Sequence, residues 1–148
     1  MIARAVLAAA SIAGAVHAQQ MPVEKPGSAV VVIAGCAKAT AQPHIWTLSN
    51  AGDRVESATV AITTEEKERL AAQPSGQNTY QLIGVADFVD GETSRKIGVR
   101  GKILTAPRVN ATGMLADGHK VGVKGLYIDA RPPRINLTSV VDLAAKCP

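Results

Sequence analysis

Aromatic side chains are almost missing from this chain. Trp46, Tyr80, Phe88 and Tyr127 are the full set among 148 residues. Val, Ile, Leu and Ala must therefore fill any core. The shortage also counts against a face that binds nucleic acid by stacking bases, so no nucleic-acid partner is expected. Histidine is scarce too: beyond His17 in the first stretch there are His44 and His119, far apart and without acidic or cysteine neighbours at ligand spacing. No metal and no cofactor are expected from such a set. Cysteine occurs twice, as Cys36 and Cys147, with no C-x-x-C spacing to mark a redox pair. No nucleophile-elbow pattern is present. The glycines sit in strand-like segments rather than before a helix, which does not fit a phosphate loop. A non-enzymatic protein is the expectation. No apolar run after the N-terminal one is long enough for a transmembrane segment.

The first eighteen residues carry a destination. Arg4 supplies a positive start, Ala5 to Val16 is an apolar run, and Val16-His17-Ala18 ends it with tolerated residues at the cleavage positions. This reads as a signal peptide over 1–18, which directs the chain to the periplasm or the exterior. Residues 19–27 are polar, hold two prolines and read as a flexible arm. Residues 28–148 then form one domain. In an oxidising compartment an even pair of cysteines predicts a disulfide between Cys36 and Cys147. A rival reading exists: Ile33-Ala34-Gly35-Cys36 resembles a lipobox, which would make Cys36 a lipid-bearing anchor.

Strand signals dominate the domain. Ser28–Cys36 is β-branched and apolar, His44–Ser49 is a second short strand, and Asn50-Ala51-Gly52-Asp53 is turn chemistry. Ser57–Ile62 alternates with Ala58, Val60 and Ile62 on one face. The period then changes. Thr63 and Glu66 form a capping box, predicting a helix from about Thr64 to Ala72, stopped by Pro74 and Gly76. Thr79–Val89 reads as strand with a bend at Gly84. Arg95–Gly101 and His119–Gly125 echo one another over seven positions and both read as strands. Arg131-Pro132-Pro133 forces a loop, and Arg134–Leu143 closes the domain with Ile135, Leu137 and Val141 inward. Five to seven short strands with one short helix predict a mainly β fold, a small barrel or sandwich.

Charge is divided unevenly. Gln19 to Ser94 carries five Lys or Arg against nine Asp or Glu, whereas Arg95 to Pro148 carries ten against three. Alternation would place Lys96, Arg100 and Lys102 on one strand face, Lys120 and Lys124 on another, and Arg134 at the start of the last strand. If those strands are neighbours, a basic stripe results that could bind a polyanion such as lipopolysaccharide or anionic lipid. The alternative is a plain solvated outer face.

Several signatures occur in order: Gly35-Cys36, Trp46-Thr47-Leu48-Ser49-Asn50-Ala51, Tyr80-Gln81-Leu82-Ile83-Gly84, the segment from Gly118 to Gly125, Leu137-Thr138-Ser139-Val140 and Cys147. The chain thereby resembles a family of small exported bacterial proteins with an OB-fold-like domain and no assigned function. The resemblance implies a barrel and a first-to-last disulfide, and it carries no catalytic residues. The span between Tyr80 and Gly118 is longer than that pattern has, and the helix near Thr64 reads as an addition. The functional expectation is a periplasmic binding or cell-envelope domain that contacts anionic polymers through the basic face. A protein–protein interaction module with another envelope protein is the alternative, and a hydrolase with an unrecognised site ranks below both.

Overall fold

A β-branched, apolar run opens the described chain and becomes the strand with the most partner strands. The computed structural model describes residues 29–98 and 113–148. The leader, the arm, Arg100 and Lys102 lie outside the described residues. Six strands make one mixed sheet: β1 (Val30–Ala39), β2 (Trp46–Ala51), β3 (Val55–Glu56), β4 (Asn78–Ile83), β5 (Lys120–Ile128) and β6 (Arg134–Ala144). β1 pairs with β5 from Val30 to Cys36, with β3 at Val31 and Val32, and with β2 from Cys36 to Ala39. β2 pairs with β4, β4 runs parallel to β6, and β6 pairs with β5. The pairings return to β1 in the order β1-β2-β4-β6-β5, the connectivity of an OB-like barrel. The shortest pairing in the ring is the parallel one, where Gln81, Leu82 and Ile83 meet Arg134, Ile135 and Asn136.

Alternation decides what goes inside. Val31, Ile33, Trp46, Leu48, Tyr80, Leu82, Val121, Val123, Ile135 and Val140 line the buried interior. Each such aliphatic side chain contributes about 1.5–3 kcal/mol by leaving water. Of the four aromatics, Trp46, Tyr80 and Phe88 sit in this core, while the Arg54 guanidinium lies 4.3 Å from the Tyr127 ring centroid. A disulfide joins Cys36 on β1 to Cys147, across 111 positions with Cα atoms 5.6 Å apart. Closing a loop of that size removes about 4–5 kcal/mol of freedom from the unfolded chain.

Among the described residues two α-helices are present where one was expected. α1 (Thr64–Ala72) starts at the capping box, with Thr63 accepting from the Glu66 N–H and Glu66 accepting from the Thr63 N–H. α2 (Gly91–Ile97) replaces the strand expected at Arg95. Asp90 is the cause: its Oδ1 accepts from the N–H groups of Glu92 and Thr93 at 2.9 Å, an N-cap that starts a helix rather than a turn. The expected strand Thr79–Val89 ends at Ile83. Gly84 takes the left-handed region at φ 70°, and Val85–Asp87 forms a short 3-10 turn. The expected strand Ser57–Ile62 is not formed; only β3 precedes it.

β6 contains the reason for one further difference. Lys124 pairs with Ser139 and Gly125 with Leu137, so Thr138 is an extra residue and the inward parity shifts by one. Ile135 and Leu137 point inward as expected, but Val140 takes the place foreseen for Val141. Thr138 and Ser139 both turn outward. The Thr138 hydroxyl donates to the Val60 carbonyl at 2.7 Å, and the Ser139 Oγ accepts from the Ile62 N–H at 3.3 Å. Segment 57–63 is thus held against the barrel wall through hydroxyls instead of through a strand ladder.

α1 lies on the outside of the barrel over β1, β5 and β6. Its one buried residue, Leu70, packs with Val32 and Ala34, with Ile62 and Leu143 at the margin. Gly122 makes the close approach possible. A Cβ there would meet Leu70 Cδ1 at 2.8 Å and Val141 Cγ1 at 2.9 Å. A Gly122→Val substitution is therefore expected to lift α1 and destabilise the domain by about 1–3 kcal/mol. Urea unfolding would show this as a lower midpoint.

Candidate binding face

Two of the lysines expected to form a basic stripe, Lys120 and Lys124, are used to hold α1. Lys120, Gly122 and Lys124 occupy the outer face of β5, and four residue steps along a strand span about 13 Å. A nine-residue helix such as α1 has about the same length. Lys120 Nζ donates to the carbonyls of Ala71 and Gln73 at 3.0 and 2.7 Å, satisfying the C-terminal end of the helix. Lys124 sits at the other end, with no exposed surface. Its Nζ reaches Glu66 Oε2 at 2.6 Å, Ser57 Oγ at 2.9 Å, Thr59 Oγ1 at 2.7 Å and the Ala61 carbonyl at 2.6 Å. Alternation foretold correctly that these lysines face away from the core. The cover supplied by α1 and segment 57–63 removes Lys124 from solvent and leaves Lys120 partly exposed.

Burial pushes the Glu66 carboxyl up. The hydrogen bonds from Lys124, the Thr63 N–H and Ser57, with the Lys124 charge, outweigh it and hold the group below the ordinary glutamate range. A carboxylate depressed in this way stabilises the fold above its unfolded pKa, and that contribution disappears as pH falls through the folded value. Stability should decline below about pH 4 in part for this reason. Glu66→Gln, which leaves Lys124 without a counter-charge, is expected to cost about 3–5 kcal/mol at neutral pH. It should also flatten the acid limb of the stability curve. Urea titrations at pH 7 and pH 3.5 check both; an unchanged midpoint at pH 7 would contradict the assignment.

The remaining described stripe residues lie on other elements. Lys96 lies on α2, exposed and paired with Glu92 at 2.9 Å, one helical turn away. Arg134 is exposed at the start of β6. No common face gathers Lys96, Lys120, Lys124 and Arg134.

A different row crosses the barrel at Arg134. β1 pairs Lys38 with Thr47, β2 pairs Thr47 with Gln81, and β4 pairs Gln81 with Arg134. The flanking residues Ala37, Trp46, Leu48, Tyr80, Leu82 and Ile135 belong to the core, so this row points outward. At about 4.8 Å per strand, Lys38 and Arg134 stand about 14 Å apart along the sheet. Among the described residues neither has an ion-pair partner.

Two loops border the row. Residues 40–45 are stiffened from within: the Thr40 hydroxyl donates to the Ile45 carbonyl at 2.7 Å, and the Ile45 N–H donates to the Gln42 carbonyl at 3.0 Å. Residues 129–133 are tied to β4 by the Gln81 N–H, which donates to the Pro133 carbonyl at 2.9 Å. Two grooves open beside them. One, of about 290 Å³, is lined by Thr40, Gln42, Thr47, Gln81 and Pro132 among others. The second, of about 440 Å³, is lined by His44, Ile83, Val85, Ile97 and Arg134. Ile45 and Gln81 line both.

Sequence reasoning passed over Lys38, Thr47 and Gln81. The alternation of Trp46-Thr47-Leu48 and Tyr80-Gln81-Leu82 marks Thr47 and Gln81 as outward, but strand register is what aligns them. His119 has a neighbour that spacing did not show: its Nδ1 lies 3.3 Å from the carboxylate of Asp142 on the adjacent strand. No groove among those described above contains His119, and the groove that contains His44 has no carboxylate among its described lining residues. No family model, no curated protein and no solved structure matches this chain. The described residues include no helix long and apolar enough to cross a membrane.

Proposed function

We propose that the protein is a non-enzymatic binding domain of the cell envelope that holds an extended anionic chain across Lys38, Thr47, Gln81 and Arg134. The observation that carries the reading is this row: two cations without ion-pair partners among the described residues, separated by two hydrogen-bonding side chains. An anionic group at each end and hydroxyls between them match its donors. The bordering loops are fixed by their own hydrogen bonds, so little order has to be imposed on binding. The aromatics are occupied in the core or beneath Arg54, so recognition on this face falls to charge and hydrogen bonds. The Cys36–Cys147 disulfide is compatible with export to an oxidising space such as the periplasm.

Purified lipopolysaccharide is the probe for this reading. Binding by the disulfide-closed protein should weaken as salt rises. Lys38→Glu and Arg134→Glu should each remove about 1 kcal/mol or more, roughly fivefold in affinity. Lys96→Glu, on α2, should have little effect. Binding that survives both row substitutions and high salt would overturn the proposal. A protein partner recovered by cross-linking under those conditions would point to an interaction module instead.

A further inference from the structure

The larger groove has a chemistry that the polar row does not account for. Its walls come from Ile45 in the 40–45 loop, Ile83 on β4, Val85 in the 3-10 turn and Ile97 at the end of α2. Ile45 and Ile83 lie outside the barrel's buried core and remain partly exposed. Residues of four separate elements line one space, with Val85 itself buried in the core beneath it, and that space is within the size range of small-molecule sites, about 300–1,000 Å³. Polar chemistry comes from three side chains, Gln81 with its carboxamide and two basic groups. Arg134 brings a guanidinium and His44 an imidazole, and the described lining holds no opposing carboxylate.

We infer that this groove binds an amphiphile with a single aliphatic chain and an anionic head. The chain lies against Ile45, Ile83 and Ile97, where its methylenes leave water. The head meets Arg134, whose planar fork of N–H donors fits a carboxylate or a phosphate monoester with two parallel hydrogen bonds. This deepens the reading above and rests on the same face, because Arg134 is the end of the polar row. Lys38, at the far end of that row, does not line the groove.

Titration calorimetry of the disulfide-closed protein tests it, with octanoate, decanoate, decyl phosphate and decanol below their aggregation limits. Affinity should rise about fourfold per added methylene from octanoate to decanoate. Decanol should bind about tenfold more weakly than decanoate, having no charge for Arg134 to meet. The tighter of decanoate and decyl phosphate identifies the head group. Arg134→Gln should bring decanoate down to the level of decanol, and Arg134→Lys should recover part of the loss. Ile83→Asn should weaken every ligand, with circular dichroism and thermal midpoints verifying that each variant is folded. Equal affinity for octanoate and decanoate, or for decanol and decanoate, would overturn the inference, as would tight binding by a folded Ile83→Asn variant. Lys38→Glu separates the two readings. Loss of lipopolysaccharide binding with decanoate binding intact supports both; loss of decanoate binding in this variant overturns the groove assignment. In the parent protein, lipopolysaccharide binding without decanoate binding overturns the groove alone, and the reverse overturns only the polymer reading.

Discussion

The Lys124–Glu66 pair determines how the outside of this barrel is built. A fully buried ammonium is tolerated only when its hydrogens and its charge are answered. Here the answers come from one continuous stretch of chain, Ser57, Thr59 and Ala61 followed by Glu66. Satisfying Lys124 therefore fixes the path of that stretch and the start of α1 together. Because Glu66 also closes the capping box, the same carboxylate begins the helix and docks it. Lys120 then secures the other end, and Gly122 clears the space between them. The arrangement separates the barrel into a covered side over β1, β5 and β6, and an open side over β2 and β4 with the start of β6.

That division explains why the binding face lies where it does. On the covered side, outward positions are consumed in holding α1. On the open side, α1 does not cover outward positions such as Thr47 and Gln81, and the loops rise at their margin. Four of the described positive charges thus divide into two kinds. Lys120 and Lys124 are internal fasteners, whereas Lys38 and Arg134 remain available to something else. Composition alone counts all four alike.

What could be read from the sequence follows the range of the interactions involved. α1 was legible to the residue because a capping box and the following breaker are local. The division of β5 into Val121 and Val123 on one face and Lys120 and Lys124 on the other was legible for the same reason. The pairing of Cys36 with Cys147 needed only the count of cysteines and a compartment. Lys124 was not legible, since a lysine in a Lys-x-Gly-x-Lys strand looks solvated until its partner 58 positions away is known. The echo between residues 95–101 and 119–125 was misleading. Similar residues make a helix near Arg95 because Asp90 caps it, and a strand near Val121 because β1 and β6 lie on either side. The row from Lys38 to Arg134 is created by register across three strand pairs, which no local pattern records.

The pairing of β1 has a kinetic consequence. Its N-terminal half finds its main partner in β5, so that Ile33 meets Val123 about 90 positions later. The parallel contact of β4 with β6 is also distant in sequence. Chains dominated by such long-range pairings lose much loop entropy before native contacts repay it, and fold in milliseconds to seconds rather than microseconds. Until β5 is in place, Val31, Val32 and Ile33 form an unshielded apolar strand of the kind that recruits other chains. The element most central to the finished barrel is therefore also the one most exposed to aggregation while the molecule assembles.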